Sequence, residues 1–139
     1  MGILVGPTCW QESESVQSAS LGGKINGGYL ICRSGGSVAW IVAPASSEVS
    51  RTWGNNDAII TATECTGPTN WFIPTSAQLS NPGYTCRTHW DSYSESVYWS
   101  STIYTSGVCG YYVSFINGGV ARSPSGSTNC VRAFRCVTY

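Results

Sequence analysis

Apolar residues occur along the chain in short runs, each followed by glycine, serine or asparagine, which is the pattern of strands joined by tight turns. The first clear pair of runs covers residues 29–33 and 38–42, on either side of Ser34-Gly-Gly-Ser37. Because glycine readily adopts the positive φ angles of a tight turn, these segments predict an antiparallel hairpin. Trp40 lies within the second run and is expected in the core.

A second hairpin is predicted further along the chain. Residues 110–116 and 119–122 flank Asn117-Gly118, a dipeptide that favours a two-residue hairpin turn. Trp99 lies just before them in another strand-like run and is expected in the core. The final segment, 130–137, alternates between two faces and predicts a single strand that pairs in the interior of the sheet.

Helical signals are few and local. Asn55-Asn-Asp57 offers a helix start before 58–65, although the β-branched residues of that segment also suit a strand. After the apolar run that begins at Trp71, Thr75 and Gln78 have the spacing of a capping box. This second helix must be short, because Asn81-Pro-Gly83 follows it closely.

Composition indicates one neutral, aromatic domain. The 139 residues include six Trp, eight Tyr and sixteen Gly, and seven basic residues balance seven acidic ones. With Lys24 as the only lysine, we expect no nucleic-acid partner and no binding to anionic membranes. No apolar run approaches the ~20 residues of a membrane helix, so membrane insertion is not expected.

The first 24 residues differ from the remainder. Residues 1–24 are mostly polar and show neither a helical nor a strand period. They are interpreted as an arm that anchors a domain of residues 25–139 to something larger, or that simply lies on its surface. Met1 to Pro7 lacks the basic start and apolar length of a signal peptide, so export by a signal of its own is not expected.

The seven cysteines leave the redox state open. Their odd number without an export signal weakens an interpretation as extracellular disulfides. Cys130 and Cys136 cannot pair with each other if they share one strand, because six residues of extended chain separate them. Each would need another partner or would remain a buried thiol.

Catalytic and metal motifs are absent from the sequence. Asn55–Asp57 and Asp91 are isolated oxygen donors, and no loop has the Glu-Pro-Asn or Gln-Pro-Asp pattern of calcium-dependent sugar sites. The only histidine, His89, lies near Cys86, but no third group to orient it and no Cys-x-x-Cys motif is visible. We therefore expect no enzyme, no catalytic residue, no metal ligand and no cofactor.

An aromatic loop at 89–95 is the best candidate contact surface, together with two tyrosines close by in the sequence. Tryptophan and tyrosine combine flat apolar faces with a polar tip, which suits both sugar rings and protein partners. The alternative is that Trp90 and Tyr93 pack over the core as a lid. The predicted binding residues are His89, Trp90, Asp91, Tyr93, Tyr104 and Tyr111.

Several separate pieces of the chain resemble a known family. The matching segments are 27–31, Trp53 with 56–60, Asn70-Trp-Phe-Ile-Pro-Thr75 with Leu79, Tyr98-Trp-Ser-Ser-Thr102, Val113 and Phe115 before Gly118, Val131-Arg132 and Arg135. With these segments, the span from about Gly27 to Thr138 resembles the C-terminal domain of unknown function in bacterial collagen-like adhesins, the Lcl C-terminal family, which is similar to the C-type-lectin-like fold. Segments 81–86 and 132–139 also resemble versions carried by tailed phages of marine cyanobacteria.

The chain departs from the family pattern at one position. Gln78 stands where the family usually has an acid, three residues after the threonine of its Trp-Leu-Pro-Thr motif. The acid that would pair with an arginine of the last strand is therefore missing. Arg132 and Arg135 are still expected to be buried and structural, but with other partners.

The resemblance implies an α+β fold, a single C-type-lectin-like domain with a twisted, mostly antiparallel sheet and two short helices. It also implies a binding protein at the surface of a virion, made in the host cytoplasm. We expect a tail-fibre or adhesin component whose loops at 84–96, 102–110 and 122–129 contact a host glycan or protein. The alternative is a capsid decoration or tail-assembly protein that contacts only other virion subunits. The arm would bind other virion proteins, and a homo-oligomer is left open.

Overall fold

The computed structural model describes residues 16–25, 27–104 and 108–139, which form an α+β domain with two mostly antiparallel sheets. The predicted α+β class with two helices is confirmed, although two sheets replace the single predicted one. The helices are α1, Asp57–Thr66, and α2, Ser76–Gln78. The strands are β1, Lys24–Ile25; β2, Gly28–Ser34; β3, Val38–Val42; β4, Val49–Arg51; β5, Val97–Ile103; β6, Cys109–Ser114; β7, Val120–Pro124; β8, Asn129–Val131; and β9, Phe134–Thr138.

The first sheet has the strand order β1-β2-β3-β9. Strands β2 and β3 form the predicted hairpin, in which Ser34 pairs with Val38, and Gly35 and Gly36 adopt positive φ angles at the turn. A register shift between Leu30 and Cys32 marks a bulge in β2. The prediction of this hairpin from its glycine turn is confirmed.

The second sheet has the order β4-β8-β5-β6-β7. Strands β6 and β7 pair antiparallel across the turn at Asn117-Gly118, as predicted. The pairing of β5 with β8, through Tyr98 and Cys130, is parallel. The strand β7 lies at one edge of this sheet.

The prediction of one strand over 130–137 is wrong. The segment divides into β8, in the interior of the second sheet, and β9, at the edge of the first. Arg132 and Ala133 lie between them, where the Arg132 side chain turns into the protein and the Ala133 carbonyl accepts a hydrogen bond from the Ala43 backbone. The chain thus crosses from one sheet to the other at Arg132, whose guanidinium pairs with Glu48 and Asp91.

The junction around Thr75 forms as predicted. The Thr75 hydroxyl accepts from the Gln78 amide, and the Gln78 side chain accepts from the Thr75 amide, which completes the capping box. A wide helical turn follows α2, and Asn81 interrupts it with an extended backbone (φ −147°). The apolar run at 71–73, before Thr75, forms a single β-bridge, from Phe72 to Phe134, rather than a longer strand pairing.

Buried apolar side chains from both sheets and from α1 form the core. Trp71 and Trp99 are buried, as predicted, and Trp40 is half-buried against Phe72. Cys65 on α1 is disulfide-bonded. Five described cysteines are free thiols, namely Cys32, Cys86, Cys109, Cys130 and Cys136.

The described end of the predicted arm packs on the domain. Ala19 is buried, and the Arg33 guanidinium donates to the carbonyls of Val16 and Ala19 at 2.8 and 2.6 Å. Residues 16–24 therefore contribute to the fold. Residues 1–15 of the predicted arm lie outside the described residues.

Candidate functional site

The loop predicted as an exposed aromatic surface is centred on a core residue. Trp90 is only 6% exposed, and its ring packs against Tyr98, Phe115 and Phe134 with centroid distances of 5.6, 5.0 and 5.7 Å. Half-buried Tyr93 packs on the edge of Trp90. The alternative of a lid over the core describes these two rings, and the expectation that Trp90 faces solvent is wrong.

A buried arginine holds the same loop from the interior of the protein. Arg132, whose side chain is 1% exposed, contacts Glu48 at 2.9 Å and Asp91 at 3.2 Å. Its guanidinium also donates to the Ser92 carbonyl at 2.8 Å and lies 5.0 Å from the centre of the Trp90 ring. The prediction that Arg132 is a buried structural residue is confirmed.

Asp91, predicted as a contact residue, is engaged within the fold. Besides Arg132, its carboxylate accepts a 2.7 Å hydrogen bond from the Ala45 backbone amide. Each carboxylate oxygen of Asp91 therefore has a partner within the fold, which fixes the orientation of this side chain. The carboxylate partners of Arg132 are thus Glu48 and Asp91.

The polar network extends to Tyr98 and Ser94. The Tyr98 hydroxyl donates to Glu48 Oε1 at 2.5 Å, and the Ser94 hydroxyl donates to Glu48 Oε2 at 2.7 Å. Burial raises the pKa of Tyr98, and the hydrogen bond to Glu48 adds to the rise against the opposing charge of Arg132. Burial and the nearby Glu48 also raise the pKa of the Cys130 thiol. Tyr98 and Cys130 are therefore neutral in the folded protein near pH 7.

Arg135 is buried as well, and it lies against the junction segment. Its Nε donates to the Asn70 side chain at 2.6 Å, and its guanidinium lies 5.5 Å from the centre of the Trp71 ring. Burial lowers the pKa of Arg135 from its usual value. Its predicted structural role agrees with these contacts.

No side-chain hydrogen bond joins His89 to Cys86 in the described part of the chain. His89 ends a short 3₁₀ turn and is half-buried near Gly22. Burial, with a smaller effect from the neighbouring Cys32 thiol, raises the pKa of Cys86 to about 11. A thiol with this pKa is a poor nucleophile near neutral pH. The described ranges contain no cluster of three or more His, Cys, Asp or Glu side chains that could hold a metal ion.

Tyr104 and Tyr111, the other predicted contact residues, lie at the β6–β7 side of the second sheet. Their rings pack edge to face at 6.1 Å, and the exposed Arg122 lies 4.0 Å above the Tyr104 ring. In the described part of the chain no ring contact joins this pair to Trp90 and Tyr93. The predicted binding residues therefore form two separate groups.

A pocket that the sequence did not indicate lies between the turn at 52–56, just before α1, and the second sheet. Its volume is about 210 Å³. Buried Trp99, Ser100 and Val131 form its floor, whereas Thr52 and Asn56 are exposed at its rim. The full lining is Thr52, Trp53, Gly54, Asn55, Asn56, Ile73, Trp99, Ser100, Ser101 and Val131.

Trp53 is held in this pocket from several sides. Its backbone amide donates to the Ser125 carbonyl at 3.1 Å, and its ring packs directly on the Gly110 backbone. A Cβ atom at position 110 would lie 2.1 Å from Trp53 Cδ1, so only glycine fits there. The indole N–H of Trp53 is buried without an acceptor in the described residues.

The pocket adjoins two of the three loops predicted to make contacts. The Ser125 amide donates to the Val108 carbonyl at 2.9 Å, which ties the described ends of loops 102–110 and 122–129 together beside Trp53. On the opposite side, Asn55 accepts from the Asp57 amide at 2.8 Å and so fixes the turn before α1.

In the sequence, Trp53 stood out only as part of the segments that carry the family resemblance. The available signal was a tryptophan beside Gly54, Asn55 and Asn56, which is typical of an aromatic side chain held at a turn. Trp90 carries the same signal beside Asp91 and Ser92, so local sequence could not distinguish a pocket residue from a core residue.

Comparison of the chain with models of known protein families and with curated proteins gives no match. Among the described residues no helix is long and apolar enough to cross a bilayer.

Proposed function

We propose that the chain is a non-enzymatic binding module at the surface of a tailed-phage virion, a tail-fibre or adhesin component that recognises the host surface. The observation that supports binding is the open pocket at Trp53, because concave sites with aromatic walls and a few polar groups are where proteins usually hold small ligands. The virion location rests on the resemblance of residues 27–138 to collagen-like adhesin domains and to cyanophage versions of them.

The proposed contact face consists of the Trp53 pocket with loops 102–110 and 122–129. The described ends of both loops lie beside Trp53. Loop 84–96 has a supporting role in this proposal, since Arg132 anchors Ser92 and Asp91 and Trp90 is part of the core.

The proposal is tested by competition for adsorption. Purified chain should bind host cells and reduce phage adsorption, and Trp53→Ala should weaken that binding about tenfold or more, as expected for a central aromatic contact. Circular dichroism should show that the variant is folded. Ile116→Ala is the matched control, because Ile116 is 68% exposed and lies beyond the opposite end of β6.

Two results would contradict the proposal. If wild-type chain neither binds host cells nor reduces adsorption, the module does not recognise the host. If Trp53→Ala and Ile116→Ala bind equally well, the contact face is not at the pocket.

The alternative proposal, a capsid decoration or tail-assembly protein, is favoured by a different surface. Ile116 and Val120, at the turn between β6 and β7, are 68% and 49% exposed, and β7 is an edge strand. Exposed apolar side chains at an edge suit contact with another protein subunit. In that case Ile116→Ala should reduce the amount of the protein in purified particles, and Trp53→Ala should not.

A further inference from the structure

The lining of the Trp53 pocket contains no charged side chain. Arg51 and Asp57, which flank the lining segment 52–56 in the sequence, pair with each other at 2.7 Å. We infer that the pocket binds one uncharged sugar residue of a host-surface glycan, an inference that rests on the proposed recognition function. The apolar face of the sugar ring would lie on the Trp53 indole.

Aromatic surface is available without rearrangement of the fold. Trp53 lines the pocket while its ring is held against the Gly110 backbone, so its orientation is fixed before a ligand arrives. Tryptophan offers a large, rigid apolar face at little cost in conformational entropy. Ile73 and Val131 extend the apolar surface at the base of the pocket.

The hydrogen-bonding side chains at the floor of the pocket have partners within the fold, whereas those at the rim have none among the described residues. Trp99 donates its indole N–H to the Arg51 carbonyl, and Ser100 donates to the Tyr111 carbonyl. The side chains of Thr52, Asn56 and Ser101 make no hydrogen bond within the described part of the chain. Hydroxyl and amide groups both donate and accept, which matches the hydroxyls of a neutral sugar.

The size of the pocket limits the ligand to about one ring. A volume of about 210 Å³ lies below the roughly 300–1,000 Å³ of sites for drug-sized molecules. A single small ring with few contacts binds weakly, with a Kd of about a millimolar. Several copies on one particle would raise the overall avidity without any further contact.

The probes are D-glucose, D-galactose, D-mannose, L-fucose and the N-acetylated forms of glucosamine and galactosamine, with D-glucuronic acid as the charged counterpart of glucose. Binding to the full chain is followed by the NMR shift of the Trp53 indole N–H, assigned by its loss in Trp53→Phe. We expect at least one neutral sugar to shift this signal saturably, and glucuronic acid to bind at least fivefold more weakly than glucose if glucose binds.

Two threonine variants, one at the rim and one outside the pocket, provide a matched comparison. Thr52→Ala removes a hydroxyl at the pocket, whereas Thr69→Ala removes one from an exposed residue outside it. We expect Thr52→Ala to weaken binding of the neutral sugar about threefold or more and Thr69→Ala to leave it unchanged. Both positions are exposed, so neither variant should prevent folding.

The possible outcomes separate this inference from the proposed function. If no neutral sugar shifts the Trp53 signal while the chain still blocks adsorption, the ligand class is wrong and host recognition stands. Preferential binding of glucuronic acid, or of a host surface protein with no sugar attached, also overturns the sugar assignment. If sugars shift the signal but the chain does not reduce adsorption, the pocket binds a sugar and the host-recognition function fails.

Discussion

Replacement of Arg132 by methionine is expected to lower the free energy of unfolding by about 3 kcal/mol. Breaking a buried ion pair by removing one partner costs about 3–5 kcal/mol, because the remaining charge is left in the protein interior. The Arg132 guanidinium makes five hydrogen bonds, to Glu48, Asp91 and backbone carbonyls. The Glu48 and Asp91 side chains are 17% and 19% exposed, so partial hydration places the effect near the lower limit.

Arg51 supplies a matched control with the same substitution. Its Nε lies 2.7 Å from Asp57, closer than Arg132 lies to either of its carboxylate partners. The two side chains of the Arg51 pair are 43% and 42% exposed, however, and solvent-exposed pairs contribute about 0–1 kcal/mol. Arg51→Met should therefore have a small effect, although it breaks the shorter contact.

The assay is urea unfolding followed by tryptophan fluorescence and by circular dichroism. In a domain of this size, a loss of 3 kcal/mol should also lower Tm by roughly 10 °C. Equal losses in Arg132→Met and Arg51→Met would refute the reasoning, because burial would then not set the strength of the pair. A loss below about 1 kcal/mol at Arg132 would refute the assignment of a structural network.

Two further predictions concern packing and pH. Gly110→Ala should reduce stability by about 1–3 kcal/mol and weaken binding at the pocket, because the added methyl group meets the Trp53 ring. Gly126→Ala should leave both stability and binding unchanged, because a Cβ atom there would have no atom within 4 Å. Equal urea midpoints for the two variants would contradict this prediction. The raised pKa of Tyr98 means that the folded state keeps a proton that the unfolded state releases above about pH 10, so its contribution is complete below pH 10 and is lost as pH rises. Tyr98→Phe should therefore lose stability less steeply than wild type between pH 10 and 11 in urea titrations; identical slopes would show that Tyr98 does not titrate in this way.

The sequence predicted the features that depend only on residues close together in the chain. The Thr75–Gln78 capping box, the glycine turn after Ser34 and the turn at Asn117-Gly118 each need only side chains a few positions apart. The α+β class was implied by the resemblance of the separate sequence segments, and the strand patterns and cap signals along the chain agree with it.

Long-range contacts decided the features that sequence reasoning missed. Arg132 is 84 residues from Glu48 and 41 from Asp91, and no local pattern indicates such partners. The same contacts divide the predicted strand 130–137 and engage Asp91 within the fold. Trp53 and Trp90 have similar polar neighbours, so only tertiary packing places one at a pocket and the other in the core.

The central claim is that this chain recognises the host from the surface of a virion, and its most direct test is the location of the protein on purified particles. Antibody labelling of intact particles, viewed by electron microscopy, would report that location. The proposal predicts label confined to tail-fibre or tail tips. Regular label over the head would contradict it in favour of a decoration protein, and absence of the protein from purified particles would contradict both.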